Sequence, residues 1–441
     1  MYIVPIRCDT APLTTGDASR PFPDLARAWL PAIAWAAGIA ILGAYAYSVA
    51  AGRMTHGFIA YYAASRALVA GHFGSWVYDE PSFTAYVQEL TGTSVLEIFG
   101  PNPPSMSLLL LPLAALAPTT ARAVWLVVSL AAWAWASAAL ARRMSLRGID
   151  SGTVALALML LNPAVFANIR NAQAYLVVAA AQIAAAHCIL RRRDSAAGAL
   201  FGASVAVKTS GVPMLVVIAF AKRRRVLVSA LVAGAVSVAV TIAVAGIEPW
   251  MRYPGYVAEF VGQPRAAVTA YQTTSSLFHR LCIADPAWNP AAAADCATLG
   301  RGIPALLEVV AVLITLRVVS AAPAALWLAA GGCLSVLMLP IAEDHQFVLL
   351  ALPMMLLVES RRQSGHDRVF TWAFVAFSVL LLVPLENTAY RFTAGWGVLL
   401  AYPRLYAAWL LWALVIREIR RQPSYGNAVT PPREMHVHAS S

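Results

Sequence analysis

Apolar runs close to 20 residues recur along almost the whole 441-residue chain, and short arginine clusters separate them. As helices, such runs can cross about 30 Å of hydrocarbon. Inside lipid every backbone amide must find its partner within the segment, so the runs are read as transmembrane helices. Charged residues make up 12% of the chain, about half the share found in soluble proteins. The candidate spans are 29–50, 121–141, 152–168, 174–190, 196–207, 211–221, 226–247, 303–320, 324–341, 346–358, 369–385 and 396–416. That makes about twelve crossings of an all-α, polytopic transmembrane helical bundle.

The net charge of +11 does not point to nucleic acid. Its arginines sit between spans, as Arg142-Arg143, Arg191-Arg192-Arg193, Lys222 to Arg225, Arg361-Arg362, and Arg417 with Arg420-Arg421. Clusters of this kind mark cytoplasmic loops. Residues 1–28 lack the apolar core and cleavage site of a signal peptide and are read as a cytoplasmic tail. Residues 422–441, rich in Pro, Ser and His, are read as a disordered tail on the same side. Between them lies one membrane domain, 29–421, with external loops 51–120 and 248–302.

The apolar run 104–118 is about 15 residues long, reaches about 22 Å and contains Pro112. If it spans, the arginine clusters fall on opposite faces. If it is re-entrant or interfacial, they share one face, and this is the expected arrangement. Both termini are then cytoplasmic. The segments 51–120, 168–173, the Lys208 turn, 248–302, 343–346 and 386–395 then lie outside. Ionisable groups beside a membrane are costly to keep and become functional candidates.

No Walker A sequence, paired CxxC or HExxH occurs, and no cofactor or metal is expected. A group donor has to come from the membrane. Lys and Arg opposite carboxylates suit a lipid-phosphate donor: cations hold the phosphate, and a carboxylate or His deprotonates an acceptor hydroxyl. Lys208 sits at the tip of a hairpin of two half-length helices, 196–207 and 211–221. It either snorkels to the interface or holds a phosphate as a point charge. Asp79 and Glu80 suit a helix cap before Pro81. Glu89 and Glu97 read as solvated surface residues, and His56 as an interfacial one. Glu343-Asp344-His345 interrupts two apolar runs, where uncharged residues cost less, and reads as functional. Cys282 and Cys296 share the second external loop, where an oxidising exterior favours a disulfide.

From about residue 56 to about 360 the chain carries ordered blocks: GFIAYYAASRALVAG with VYDEP, NPPSMSLLLLPLAALAP, LNPAVFANIRNAQAYL, AAGALFGASVAVKTSGVPMLVV, QTTSSLFHRL and LPIAEDHQFVLLALP. Their order and spacing resemble the polyprenol-phosphate-mannose-dependent glycosyltransferases of family 87, within the membrane-embedded GT-C superfamily. The resemblance implies the GT-C-A fold, an external site, a polyprenyl-phosphate sugar donor and inverting transfer to a cell-envelope glycolipid or glycan. It implies Lys208 at the donor phosphate, with Arg170, Gln173 and Arg280 helping, and places Asp344 and His345 in the acidic-His block. Tyr61, Tyr62, Tyr78, Asn102, Gln272 and Glu343 are the expected substrate-binding residues. The Ala/Arg-rich composition fits the plasma membrane of a high-GC bacterium.

Two positions depart from the family pattern. The catalytic Asp expected before Phe58 is Gly57, and a Gly-Gln pair reads Ala172-Gln173. Glycine cannot act as a base. Either His56 takes the role, or Asp344 or Asp79 supplies it from elsewhere, or the protein is a non-catalytic relative that binds polyprenyl phosphate or glycolipid. A transporter fits less well, because no internal repeat is found and the polar groups gather at one face instead of the midplane.

Overall fold

The computed structural model describes residues 22–50, 56–143, 162–361 and 367–422. Among these residues the elements are helices and 3-10 turns. In chain order they are α1 (Phe22–Ala50), α2 (Phe58–Val69), α3 (Glu80–Thr91), α4 (Pro118–Arg143), α5 (Pro163–Arg170) and α6 (Tyr175–Leu190). There follow α7 (Asp194–Val207), α8 (Val212–Phe220), α9 (Arg224–Ala245), α10 (Glu248–Gly262), α11 (Thr274–Cys282) and α12 (Ala297–Val319). The last are α13 (Ala324–Leu337), α14 (Ala351–Arg361), α15 (Arg368–Leu382), α16 (Leu385–Thr388) and α17 (Pro403–Arg421). Helix α1 starts at Phe22, ahead of the expected boundary at residue 29. The first part of the expected span 152–168, and tail residues 1–21 and 423–441, lie outside the described residues.

Among the described residues three helices are long and apolar enough to cross a bilayer: Pro118–Leu140, Arg224–Ala245 and Ala297–Val319. Gly395–Ala401 and α17 make a fourth if taken together, with a bend of 57° between them. Pro403 stands at that bend and removes the amide a straight helix needs. Seven shorter apolar helices of 10–17 residues include α6, α7, α13 and α15, each about 15–25 Å long. This is a helical membrane protein, and its helices are much less uniform than a set of equal spans.

The run 104–118 forms 3-10 turns at Pro104–Leu108 and Leu111–Leu113 instead of one helix. Pro103, Pro104 and Pro112 deny it a continuous ladder. Helix α2, buried along almost its whole length, compensates by satisfying the free carbonyls. Ser65 Oγ donates to Ser107 O (2.7 Å), Arg66 Nη1 to Ala114 O (2.7 Å) and Tyr62 Oη to Leu116 O (2.6 Å). Irregular backbone shielded from water is stable only with such partners.

Helices α7 and α9 are in close contact. A Cβ on Gly198 would lie 2.6 Å from Ser229 Cβ, and one on Gly202 would lie 2.9 Å from Ala230 C. Two glycines four residues apart thus let the backbones touch, a common device between membrane helices.

The bundle has two unlike ends. At one end Asp367 caps α15 and gathers Arg361 (3.8 Å), Arg417 (3.1 Å) and Arg421. Arg361 also meets the buried Glu418 at 3.1 Å. From Arg361, α14 and the 3-10 turn Asp344–Leu350 lead back about 30 Å to Glu343. Helix α6 leads from Arg191 to Tyr175, and α7 from Arg193 to Lys208. Tyr175, Lys208 and Glu343 therefore meet at the other end. There α10 and α11 lie over the bundle, and the Cys282–Cys296 disulfide ties α11 to the start of α12.

Candidate functional site

The site starts at the N-terminus of α2. Gly57 has φ +97°, a region that L-residues rarely adopt. A Cβ there would lie 2.7 Å from Gln173 Cδ and 3.1 Å from Asn171 O. No side chain fits. The two departures from the family pattern meet here: Phe58 N–H donates to Asn171 O (3.2 Å), and the Gln173 amide fills the space a side chain at position 57 would need. Between Asn171 and Gln173, Ala172 is held at φ +44°, where glycine is at ease. Gln173 Oε1 accepts from Tyr61 Oη.

A carboxylate arrives from a different segment. Gly57 N–H donates to Glu97 Oε2 (3.0 Å), and Ile98 N–H to Glu97 Oε1 (3.1 Å). His56 Nδ1 stands 3.5 Å from Glu97 Oε2. Glu97 is 6% exposed, which corrects its reading as a solvated residue. His56 keeps most of its ring in solvent, and its hydrogen bond with Glu97 raises its pKa above the ordinary histidine value.

Lys208 forms the opposite wall. Helix α7 stops there because the chain turns through Thr209–Gly211 and Pro213 starts the next helix. The side chain is 8% exposed. Its Nζ donates to Asn102 Oδ1 and lies 4.7 Å from the Tyr61 ring centre and 5.2 Å from that of Tyr175. Among the described residues no carboxylate comes within ion-pair distance of it. Burial pulls its pKa down to about 7, against the attraction of Glu343 and Glu97.

The third wall is the turn Glu343-Asp344-His345. Glu343 and Gln346 form a capping box, so Glu343 accepts from the Gln346 backbone N–H. His345 Nδ1 lies 3.4 Å from Glu343 Oε2, its ring packs on Tyr175 (5.3 Å), and Asn168 Nδ2 donates to its carbonyl (2.7 Å). Burial pushes the His345 pKa down to about 3, so its imidazole is neutral. Burial also raises the Glu343 carboxyl.

These walls enclose a cavity of about 650 Å³, lined among others by His56, Tyr61, Glu97, Asn102, Gln173, Lys208, Glu343 and His345. Glu80 and Arg265 complete it, with Arg265 Nη1 donating to Glu80 Oε2 (2.8 Å) and Tyr256 Oη to Glu80 Oε1 (2.9 Å). A cavity of this size suits a sugar ring with its phosphate.

Other expected site residues lie elsewhere. Asp344 and Arg170 line a second cavity of about 440 Å³. Asp344 Oδ1 lies 2.6 Å from Nε of the fully buried Arg404, and Arg170 Nη1 donates to Glu386 (2.9 Å). Asp79 is exposed and caps α3 by accepting from Ser82 N–H (3.0 Å). Arg280 is buried and donates to the carbonyls of Trp288 and Thr393. Gln272 joins three segments, donating from Nε2 to Thr269 O (2.7 Å) and Ala401 O (2.8 Å), while its backbone N–H donates to Ala342 O (2.7 Å). Tyr62 and Tyr78 direct their hydroxyls to the carbonyls of Leu116 and Asn102. These last five residues line neither cavity. The sequence reading placed Glu97 among solvated acids and Glu80 in a helix cap, and did not single out Arg265. Their burial depends on partners far along the chain, and no local pattern marks it.

The model of glycosyltransferase family 87 matches residues 101–340, more than half of the chain. The chain belongs to glycosyltransferase family 87. No curated protein and no solved structure matches it. The family 87 match contains Asn102, Lys208 and Arg265, begins after Glu97 and ends before Glu343. The carboxylates facing Lys208 across the cavity thus lie outside the matched span.

Proposed function

We propose that this family 87 glycosyltransferase moves a sugar from a polyprenyl-phosphate donor to a hydroxyl of a cell-envelope glycolipid or glycan, with inversion. The carrying observation is Lys208. A buried ammonium with aromatic walls and no carboxylate partner among the described residues is stabilised when an anion enters beside it. A lipid-linked phosphate answers that need, and its sugar then extends among Glu97, Glu343 and His345. As the bond between the anomeric carbon and the phosphate oxygen breaks, Lys208 holds the negative charge on the departing polyprenyl phosphate. A preorganised cation in a dry site is worth about 10²–10³ in rate. A carboxylate of the same cavity accepts the proton of the attacking hydroxyl. Arg265, with its charge shared with Glu80, borders the entrance for a second anionic group.

The basic end of the bundle supports a cytoplasmic assignment for that end and for both termini. The cavity then opens on the extracytoplasmic side of a bacterial plasma membrane, and the half-length helices complete about twelve passages. Mannose is the sugar that the family resemblance favours.

A second reading rests on Gly57. Without the usual Asp, the protein binds polyprenyl phosphate or glycolipid and transfers nothing. Membranes containing the protein, supplied with radiolabelled polyprenyl-phosphate mannose and envelope glycolipids, separate the two. Transfer of label to glycolipid supports the enzyme. Saturable binding of the donor with no product supports the binding protein.

A further inference from the structure

We infer that Glu97 is the general base of this enzyme and that His56 carries the proton from it to solvent. The inference rests on the transferase reading above.

Residue 57 is barred from the role twice. It has no side chain, and its φ and the Gln173 amide exclude one. Yet its backbone N–H is bonded to a carboxylate contributed from 40 residues further on. Glu97 therefore sets a carboxylate oxygen 3.0 Å from the Gly57 backbone nitrogen, on the wall of the cavity that both residues line.

The other carboxylates at this end are already engaged. Asp344 is bound to Arg404 in the second cavity, Glu80 to Arg265 and Tyr256, and Glu343, which like Glu97 accepts a backbone N–H, stands beside the buried His345 instead of a histidine that faces water. Glu97 is buried without a lysine or arginine beside it among the described residues. Desolvating a carboxylate without a cationic partner is costly. Among the described residues its titratable partner within 3.5 Å is His56, which faces water. The groups that act on this pair are Glu343, Lys208 and Tyr61. Lys208 is the cation among them and belongs to the donor phosphate.

The step balances. The acceptor O–H gives its proton to Glu97 Oε, and its oxygen forms the new bond to the anomeric carbon. The old bond to the phosphate oxygen breaks, and polyprenyl phosphate leaves with the electron pair. His56 Nδ1 then takes the proton from Glu97, and the imidazolium loses one to bulk water, which restores the carboxylate.

The test uses full-length protein in lipid nanodiscs with radiolabelled polyprenyl-phosphate mannose and a glycolipid acceptor. Glu97→Gln is expected to lower kcat by about 10²–10⁴ and to leave donor affinity within about twofold. His56→Gln is expected to retain donor binding and to move the acidic limb of the pH–rate profile. Glu97→Ala is expected to regain transfer when formate is added, because formate supplies the missing carboxylate. Wild-type transfer with undiminished transfer by Glu97→Gln overturns the inference. So does loss of donor binding in Glu97→Gln together with no rescue of Glu97→Ala by formate, which makes the residue structural. If wild-type protein binds donor but transfers none, the transferase reading falls and takes this inference with it.

Discussion

Asn171, Tyr271, Glu343 and His345 stand between two cavities, and charge is balanced differently on their two sides. In the smaller cavity the cations meet acids: Arg170 pairs with Glu386, and Arg404 with Asp344. In the larger one Lys208 has an amide and two aromatic faces, and Glu97 has backbone amides and a solvent-facing histidine. A paired buried charge is satisfied without a ligand. An unpaired one gains from whatever ligand completes it. By this criterion the larger cavity is the one that the proposed anionic donor would complete, and the smaller one is balanced by its own ion pairs.

The largest effect that tests this contrast is structural. Asp344→Ala leaves the fully buried Arg404 guanidinium without its counter-charge. Losing one partner of a buried pair costs about 3–5 kcal/mol. Thermal unfolding in detergent should fall markedly, while transfer per folded molecule stays within about threefold of wild type. Unchanged unfolding combined with lost transfer would return the base to Asp344 and undo the contrast.

The next effect is chemical. Lys208→Ala should cost about 3–4 kcal/mol of transition-state stabilisation, or about 10²–10³ in kcat, with little change in unfolding. The wild type should also respond to pH. With its pKa pulled down to about 7, free Lys208 is charged below that pH and loses its charge as pH rises through it. Donor affinity should therefore be full on the acid side and decline by about tenfold per unit well above the midpoint. A bound phosphate favours the charged form and moves the midpoint upward. Donor binding measured in nanodiscs from pH 6 to pH 9 checks the sign. Affinity that is flat across that range, or Lys208→Ala that binds donor normally, assigns Lys208 to the bilayer interface.

Parts of this arrangement were legible in the sequence for local reasons. Lys208 breaks an apolar run, and a charge that a uniform helix has no use for announces itself. Glu343-Asp344-His345 does the same, and the Cys282–Cys296 bridge joins two cysteines of one loop that the sequence places outside. The division of labour within the 343–345 turn was hidden. Asp344 lines the second cavity alone while Glu343 and His345 border both, and Arg404, which claims Asp344, lies some 60 residues further on. Glu97 was missed for the same kind of reason. It resembles a surface acid until Gly57, 40 residues earlier, gives its carboxylate a buried partner. Most helices keep the limits of their apolar runs or extend past them, as α1, α4 and α12 do, and the ladder breaks where prolines stand, at Pro104, Pro112 and Pro403.

The smallest effect concerns the shared wall itself. Ala172 holds φ +44° directly behind Asn171 and ahead of Gln173. An L-residue pays about 1–2 kcal/mol in this region that glycine does not. Ala172→Gly removes that strain, but it also frees the unfolded chain by about 0.5–1 kcal/mol and deletes a methyl that is 1% exposed. The gains and losses nearly cancel, so unfolding should shift by less than about 1 kcal/mol, towards stability if the methyl packs loosely. Trp125 Nε1, which donates to Ala172 O at 2.9 Å, keeps the turn in place in either case. Transfer should be unchanged, because Gln173 still fills the space beside Gly57. A large loss of transfer with normal unfolding would instead mean that the backbone strain at Ala172 aims Gln173 and Asn171, and that the wall between the cavities is itself part of the site.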